Sequence, residues 1–525
     1  MKRLLSSLIA ILTISGLNAQ QQQAEIPKLV VSIVVDQLRG DYLHYFSSTF
    51  GEKGFKRLMN EGLVYHQVDC DFQSVNETSA IASLYAGTYP YYHGIVDNTK
   101  YDPISKKVIS IFADNDYLGN YTSDQFSPKI LQSSTFSDEL KVATNGACDV
   151  YAIASNAEAA IAAGGRYANS VFWLDNHNGK WATSTYYPDV PWFIDRFNSS
   201  EAFGASSNDR TWIQSLSHFN GFPYSGTRNY FKYTFSKTDL DNYRKIKQTA
   251  LVNEQITNLA LRFLEYGGFA NRTNPDVLSL IYYAGNYKYA SYTDAYNYEI
   301  QDTYYQLDKQ LEKLFDAIEK RVGLKNTLIV LTSTGYYDSW AETASDFGPM
   351  GEFYPGRCTA LLNMYLMATY GNGNWVEAYH NNQIYLNKKL VEEKEINWAN
   401  FQADAAGFVS QFSGVQDVTT LREWLVDDAG RSSSFRKGMN KKVSGHLFIE
   451  LQPGWISVNE DKTQIDSFQR NTAILHPAFF WGGNVKKEHV YRPIKATEIA
   501  PTLSFIMRIR PPNGTKELPL REFQP

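Results

Sequence analysis

The chain alternates short, strongly apolar runs with longer stretches of helical periodicity. Residues 29–35 read LVVSIVV, which is almost continuously apolar and β-branched. A strand buried on both faces of a sheet has this composition, because neither of its faces meets water. Similar short runs recur at residues 150–154, 277–283 and 327–331. The pattern therefore predicts interior strands at all four places.

Apolar residues between these runs recur at helical spacing. One set is Leu251, Ile256, Leu259 and Phe263, and another is Leu307, Leu311, Leu314, Phe315 and Ile318. Each set falls on one face of a helix. Strands that alternate with helices predict the α/β class, with a doubly wound, mostly parallel sheet covered by helices on both faces. The rhythm breaks at about 171–245 and 346–465, which we interpret as inserted cap regions.

The first 19 residues have the pattern of a signal peptide. Lys2 and Arg3 precede an apolar stretch over residues 4–17, and Ala19 closes an acceptable cleavage site. The stretch is too short to span a bilayer, and no later run reaches 18 apolar residues. We therefore expect export to the periplasm, the outer membrane or the medium, with a domain over 26–525 and no transmembrane segment. A buried N-terminal helix is the alternative.

The composition of the chain excludes some classes of binding partner and some kinds of metal site. The chain has 525 residues, a formal net charge of −5 and a pI near 6.0, which argues against the basic face of a nucleic-acid-binding protein. Its three cysteines allow at most one disulfide and exclude a cysteine-based zinc site. The 36 tyrosines contrast with only 9 histidines, so imidazole ligands for a metal are scarce.

Ligands of such a sheet bind beyond the carboxyl ends of its strands, so chemistry is expected there. Asp36 directly follows the first strand and occupies a common metal-ligand position, with capping of the next helix as the alternative. Residues 284–290 and 332–336 follow two other strands and contain neither an acid nor a histidine. Walker A, HExxH, GxSxG and CxxC motifs are absent. These strand ends are therefore poor in catalytic side chains.

Several longer stretches carry a resemblance to a known family. They are VVDQLRGDYL at 34–43, GEKGFKRLMNEG at 51–62, AGTYPYYHGIVDN at 86–98, FWLDNHNGKWATSTYYPDVPWF at 172–193, DTYYQLDKQLEKLF at 302–315 and ATEIAPTLSFIMRIRPPNG at 496–514. On these stretches the chain resembles the alkaline phosphatase superfamily, and within it the PafA-like phosphatases of Bacteroidota and the type I phosphodiesterase/nucleotide pyrophosphatases. The resemblance implies an alkaline-phosphatase-like fold, in which two zinc ions activate a Thr or Ser nucleophile.

The family's site residues are only partly matched in this sequence. Asp36 corresponds to the first zinc ligand and Asn98 to a residue that contacts phosphate. The nucleophile position falls on Glu77, with Thr78 and Ser79 directly after it. The other zinc-ligand positions carry Asn286, Ala290, Thr334, Gly335 and Leu475, and the basic phosphate clamp corresponds to Asn156 and Glu158. The resemblance thus implies a site that has lost most metal ligands, the nucleophile and the clamp.

These substitutions favour an inactive pseudo-phosphatase. Zinc sites with so few ligands would not hold metal tightly, and the reaction would then lose its main electrostatic support. Glu77 and Glu158 would also repel a phosphate dianion. We therefore expect no catalytic residue, no cofactor and no zinc, and a binding, accessory or scaffold role in the bacterial cell envelope.

A diverged but active hydrolase is the alternative. It would be a metal-dependent phosphomonoesterase or phosphodiesterase with Thr78 or Ser79 as its nucleophile. Zinc would then bind to Asp36 and, after a one-residue slip in the match, to His476. Asp338 is one further acid along the chain, and by itself it does not replace an Asp–His pair.

Tyrosine is concentrated where the family places metal ligands. Nine tyrosines lie between residues 282 and 305. Tyrosine combines apolar area with a hydrogen-bonding tip, which suits interfaces. We therefore hypothesise that Tyr287, Tyr289, Tyr292 and Tyr296 form a surface for an envelope protein or a glycan. Packing of these rings in a core is the alternative.

Overall fold

The computed structural model describes residues 25–206, 208–216, 230–269, 271, 273–287, 289, 296–337, 351–426, 431–461 and 474–524. The predicted signal peptide over 1–19, Ala290, Tyr292 and Asp338 lie outside these residues, as does the side chain of Tyr296. The roles predicted for them stay predictions.

The strands of the described residues are labelled β1 to β21 in chain order. The first eleven are β1 (Leu29–Asp36), β2 (Leu63–Asp69), β3 (Thr99–Asp102), β4 (Lys107–Ser110), β5 (Gly119–Asn120), β6 (Val150–Ala154), β7 (Ser170–Leu174), β8 (Trp181–Ser184), β9 (Arg210–Ile213), β10 (Lys232–Phe235) and β11 (Asp276–Tyr283). The others are β12 (Thr327–Ser333), β13 (Gly351–Phe353), β14 (Val376–His380), β15 (Gln383–Leu386), β16 (Val415–Thr420), β17 (Leu447–Leu451), β18 (Trp455–Ser457), β19 (His476–Trp481), β20 (Glu488–Val490) and β21 (Ile494–Lys495). All four predicted interior strands are confirmed.

The helices are labelled α1 to α16 in the same way. The first eight are α1 (Gly40–Tyr45), α2 (Phe55–Glu61), α3 (Glu77–Ala86), α4 (Pro90–His93), α5 (Phe136–Ala143), α6 (Ala157–Gly164), α7 (Phe193–Ser200) and α8 (Asn242–Ile246). The others are α9 (Ala250–Tyr266), α10 (Tyr296–Arg321), α11 (Pro355–Tyr370), α12 (Lys388–Glu393), α13 (Trp398–Val409), α14 (Leu421–Val426), α15 (Arg431–Lys437) and α16 (Ile499–Ile506). The two helices predicted from periodicity are α9 and α10.

One large sheet lies at the centre of the fold. Its strands follow the order β20-β2-β19-β12-β1-β11-β6-β7-β8-β5, and β21 also pairs with β2. The strands β12, β1, β11, β6 and β7 run parallel, whereas β19 is antiparallel to both of its neighbours. The predicted α/β class with a mostly parallel sheet is confirmed.

Side chains of β1 alternate between two buried clusters, one on each face of the sheet. Ile33 and Val35 belong to the cluster that includes α9 and α10. Val30 and Val34 belong to the cluster that includes α3, α6 and α16. Every residue of β1 is buried. Successive side chains of a strand point to opposite faces, so helices on both faces require the continuous apolar run seen in the sequence.

The first predicted insertion begins too early. β7 pairs in parallel with β6, and β8 pairs with β7, so residues 171–174 and 181–184 belong to the central sheet. The boundary at 171 is therefore wrong. These strands are only four or five residues long and flank a polar turn, which gave them the composition of a loop. The later part of the region contributes α7, α8 and the hairpin of β9 and β10.

Residues 351–426 and 431–461 form a lobe with its own sheet and core. The strand order of the sheet is β14-β15-β17-β16. Its core includes Leu362, Trp375, Phe401 and Leu447. The lobe contacts the central domain where Lys437 Nζ donates to Asp71 Oδ2 at 2.7 Å and where Thr99 Oγ1 lies 2.9 Å from His380 Nε2.

The cysteines are unpaired. Cys70, Cys148 and Cys358 are all buried with free thiols, so the single disulfide that the sequence allowed is not formed. Within the described ranges, no helix is both long and apolar enough to cross a membrane.

Candidate functional site

The candidate site begins at the carboxyl ends of β1 and β12. In the register of these neighbouring strands, Asp36 and Thr334 directly follow a paired position. The Thr334 hydroxyl donates a hydrogen bond of 2.9 Å to Asp36 Oδ1 and accepts one of 3.2 Å from the Gln37 N–H. Asp36 is buried. A threonine hydroxyl thus contacts the carboxylate that the family resemblance assigns to zinc.

Gly335 leaves no room for a side chain. Its φ of +67° lies in the left-handed region, which favours glycine. A Cβ atom at this position would lie 2.7 Å from Cys70 Sγ and 2.8 Å from His476 Cε1. The Cys70 thiol donates to the Thr334 carbonyl at 3.2 Å, which holds it in this space. The position that the resemblance assigns to a zinc-binding histidine is therefore filled by two other side chains.

The structure brings His476 to the site and leaves Leu475 at the surface. β19 runs antiparallel to β12, so its first residue, His476, lies near the carboxyl end of β12. The ring donates from Nδ1 to the Ile474 carbonyl at 3.2 Å, and its Nε2 has no hydrogen-bond partner among the described residues. Burial lowers the pKa of His476 to about 4, which keeps the ring neutral. Leu475 is 48% exposed.

Hydrogen-bonded tyrosines surround Asn286. The Tyr283 hydroxyl donates to the Asn286 carbonyl at 2.6 Å, and the Tyr337 hydroxyl donates to Asn286 Oδ1 at 3.5 Å. The Tyr337 hydroxyl also lies 3.4 Å from that of Tyr42. The Arg39 guanidinium lies 4.3 Å and 4.7 Å from the ring centroids of Tyr42 and Tyr337. An amide and several phenols therefore occupy the end of β11.

Glu77 is the first residue of α3, where the resemblance places the nucleophile. Asn156 Nδ2 donates to Glu77 Oε2 at 3.0 Å. Burial, and after it the negative charge of Asp36, raises the pKa of Glu77 to about 8. The carboxyl group is therefore mostly protonated at neutral pH, and a protonated carboxyl is a poor nucleophile.

The two hydroxyls after Glu77 have different environments. Ser79 and Asn76 cap α3 reciprocally: the Ser79 N–H donates to Asn76 Oδ1 at 3.0 Å, and Ser79 Oγ accepts from the Asn76 N–H at 3.1 Å. The Thr78 N–H donates to Asn98 Oδ1 at 3.3 Å. Thr78 Oγ1 is buried and has no hydrogen-bond partner in the described part of the chain. Ser79 therefore stabilises the start of the helix. Of the two hydroxyls, that of Thr78 is the one without a hydrogen-bond partner among the described residues.

The positions of the phosphate clamp carry no cation. Asn156 and Glu158 lie at the start of α6, and the Asn156 side chain is hydrogen-bonded to Glu77. The Ser110 hydroxyl donates to Glu158 Oε1 at 2.6 Å. Burial raises the pKa of Glu158. Asn156 and Glu158 are therefore hydrogen-bonded to neighbouring side chains, and neither presents a positive charge to a phosphate.

A buried lysine that the sequence patterns did not indicate lies among these acids. Lys247 directly follows α8 and is buried. Burial lowers the pKa of Lys247 to about 8. The acids that oppose this shift are Glu158, Asp175, Asp124 and Glu77. Lys247 lies just after the predicted insertion and in no motif, so only the fold brings its charge to these carboxyl groups.

A family model covers most of the chain and all of these strand ends. The model of type I phosphodiesterase / nucleotide pyrophosphatase matches residues 30–478. The chain belongs to this family. The matched region includes Asp36, Glu77 and His476, so the candidate site lies within the part that the family shares.

Several known proteins are similar to this chain over almost its entire length. The alkaline phosphatase PafA of Elizabethkingia meningoseptica is 27% identical over 98% of both chains. A protein of Myroides odoratus named calcium-transporting ATPase is 29% identical over 95% of both chains. The crystal structure of wild-type PafA superposes with a TM-score of 0.77 at 24% identity, over 95% of this chain and 99% of PafA. The alkaline-phosphatase-like fold is confirmed.

The residues present do not fit the two zinc ions that the resemblance implies for the family. Asp36 and His476 offer one carboxylate and one imidazole. Asn286, Thr334 and Gly335 lack the acid and histidine groups that zinc prefers. Among the residues that the structure describes, no three His, Cys, Asp or Glu side chains are grouped to hold a metal ion.

The predicted tyrosine surface is wrong for Tyr287. Its ring is only 4% exposed and packs against Tyr233 and Trp212, with centroid distances of 4.6 Å and 5.7 Å. Burial of a large ring in contact with other rings is the favourable use of its apolar area. Tyr289 is 40% exposed and lies 5.9 Å from Tyr287 between centroids. Tyr287 therefore belongs to the core, and Tyr289 reaches solvent.

Proposed function

We propose that this chain is a catalytically inactive pseudo-phosphatase. The observation that carries the proposal is the contact between Thr334 and Asp36, because a neutral hydroxyl occupies one oxygen of the retained zinc-ligand carboxylate. The crowding at Gly335 supports the proposal, since no ligating side chain fits there. Without metal, the nucleophile and the leaving group lack their main electrostatic stabilisation. We expect no hydrolysis of phosphate esters.

The charges around the site support the same proposal. Glu158 stands where the resemblance expects a cation, so this position offers no positive charge to a phosphate dianion. Glu77 stands where a hydroxyl nucleophile is expected, and Asn156 holds its carboxyl group. The positive charge of Lys247 is already opposed by several acids.

Zinc analysis and hydrolysis assays test this proposal. The protein without residues 1–19 is purified and its zinc content is measured by mass spectrometry. Aryl phosphate monoesters and diesters are then supplied with and without added Zn²⁺. We expect less than stoichiometric zinc and turnover no higher than that of the Asp36→Ala variant, which controls for contaminating phosphatase. Stoichiometric zinc together with turnover that Asp36→Ala loses would refute the proposal.

Thr78 favours a second candidate, a diverged metal-dependent phosphomonoesterase or phosphodiesterase. Its hydroxyl has no hydrogen-bond partner among the described residues, and Asn98 holds its N–H. Asp36 and His476 would be partial metal ligands. This candidate predicts hydrolysis that a chelator and the Thr78→Ala variant both abolish and that Ser79→Ala retains. Absence of turnover at every metal loading would exclude it.

We further propose that the protein is exported and acts by binding an envelope protein or a glycan, as an accessory or scaffold protein. The pattern of residues 1–19 supports export. A fold does not by itself imply catalysis, because function depends on the residues at the site, and this allows a binding role for this chain. Cell fractionation tests the location, and chemical cross-linking in intact cells tests the partner. Full-length protein recovered only from the cytoplasm, with residues 1–19 uncleaved, would contradict export.

A further inference from the structure

Two histidines meet at the edge of the central sheet, one on β2 and the other on β20. β20 is an edge strand and runs parallel to β2, with Tyr65 paired with Val490. Tyr65 and Val490 are buried in the same hydrophobic cluster. Side chains alternate along a strand, so His66, His489 and Tyr491 share the opposite face. There His66 is half-buried, and both His489 and Tyr491 are exposed to solvent.

The two imidazole rings contact each other through their nitrogens. His66 Nε2 lies 3.0 Å from His489 Nδ1, in a hydrogen bond in which one ring donates and the other accepts. The rings stack with centroids 5.3 Å apart and an interplanar angle of 22°. The Tyr491 ring stacks on His66 with centroids 4.5 Å apart and an interplanar angle of 2°. The contact requires that at least one of the two facing nitrogens carries a lone pair.

We propose that His66 and His489 chelate a divalent transition-metal ion, with Cu²⁺ or Ni²⁺ preferred over Zn²⁺. Imidazole nitrogen is a ligand for all three ions. For an ion about 2.0–2.1 Å from both nitrogens, their present separation of 3.0 Å gives a ligand–metal–ligand angle of roughly 91–97°. This angle suits the square-planar or tetragonal geometry of Cu²⁺ and Ni²⁺ better than the tetrahedral geometry of Zn²⁺.

Metal binding requires a small change in the pair. The N–H of one ring now faces the lone pair of the other. Once that proton has moved, each ring must turn about its outer torsion so that both lone pairs converge on the ion. That torsion is soft in histidine. The donating ring moves its proton to its other nitrogen, so two neutral rings release no net proton. Burial and the neighbouring His489 lower the pKa of His66, which supports a neutral ring at pH 7. Water molecules from solvent complete the coordination.

The test uses the mature, untagged protein and Cu²⁺ alone, titrated in competition with glycine. We expect one ion per chain, with imidazole nitrogen couplings in its electron paramagnetic resonance spectrum. His66→Gln and His489→Gln should each lower the affinity about a hundredfold, because the second ligand then no longer binds as a tethered group. Circular dichroism verifies that both variants fold.

His44 provides the matched control, since it is an exposed histidine of α1 outside the pair. His44→Gln should bind Cu²⁺ like the wild type. Unchanged Cu²⁺ affinity in both His66→Gln and His489→Gln would overturn the proposal, and so would bound Cu²⁺ without imidazole couplings. Tighter binding of Zn²⁺ than of Cu²⁺ would overturn the geometric argument. These outcomes do not depend on phosphatase activity.

Discussion

The hydroxyl of Thr334 donates a hydrogen bond of 2.9 Å to Asp36 Oδ1, across the ends of two neighbouring parallel strands. A buried carboxylate is costly unless donors surround it. The resemblance places metal ions at this position in the family, whereas here a neutral hydroxyl is one of the groups that contact the carboxylate. The hydrogen bond indicates that Asp36 is stabilised by neighbouring protein groups and not by a metal ion. Variants of Thr334 test this interpretation.

Replacing Thr334 by valine should destabilise the protein. Valine keeps the shape of threonine but removes the donor to Asp36, and a lost hydrogen bond to a buried charged group costs about 1–3 kcal/mol. Urea unfolding measures the change in the free energy of unfolding. Thr334→Ser keeps the hydroxyl and should lose less than Thr334→Val. Equal losses in both variants would indicate that the methyl group, rather than the hydrogen bond, stabilises this strand end.

Gly335→Ala should be strongly destabilising. Alanine in the left-handed region costs about 1–2 kcal/mol, and the contacts with Cys70 and His476 add an overpacking cost of about 1–3 kcal/mol. Gly146→Ala is the matched control, because Gly146 also has a positive φ, of +79°, but a Cβ atom there meets nothing within 4 Å. The difference between the variants in thermal or urea unfolding isolates the crowding. Equal losses would show that the space beside Gly335 is free.

Glu77→Gln should change how stability depends on pH. The pKa of Glu77 is about 8 in the folded protein and 4.5 ordinarily, so the folded state binds this proton more tightly. The resulting stabilisation is complete below pH 4.5 and is lost as the pH rises to about 8. Glutamine keeps an acceptor for Asn156 and does not ionise. The variant should therefore be more stable than the wild type at pH 8, by about 1–3 kcal/mol.

The measurement is urea unfolding at several pH values between 4.5 and 8. The advantage of Glu77→Gln should shrink towards the acid end of this range. Glu254→Gln, at an exposed position of α9, should run parallel to the wild type throughout. A constant difference between Glu77→Gln and the wild type would mean that Glu77 does not titrate in this window.

Tyr287→Ala should destabilise the protein by about 3–5 kcal/mol, which is typical of large-to-small changes at buried aromatic rings. Tyr287 packs against Tyr233 and Trp212. Tyr289→Ala removes an exposed neighbour and should cost less than about 1 kcal/mol. Unfolding midpoints compare the two variants. A small effect of Tyr287→Ala would return this ring to the candidates for a binding surface.

The sequence by itself determined the class of fold and the identity of the missing groups. Residues 29–35 showed a strand buried on both faces, because such a strand has no polar side. The apolar periodicity over 251–263 and 307–318 indicated its covering helices. The absence of acids and histidines after two of the strands was also evident from the sequence, because it depends only on which residues occupy 284–290 and 332–336. The strands within 171–184 could not be predicted from the sequence. Each is only four or five residues long and borders a polar turn, so the local composition resembles that of a loop.

Tertiary structure alone decided what replaced those groups. Asp36 and Thr334 are 298 positions apart, and only the parallel register of β1 and β12 brings them together. His476 reaches the same place because β19 runs antiparallel, which puts its first residue beside Gly335. Lys247 comes from a region without any motif. Such contacts depend on which strands are neighbours and on their direction, and neither is encoded within a short stretch of sequence.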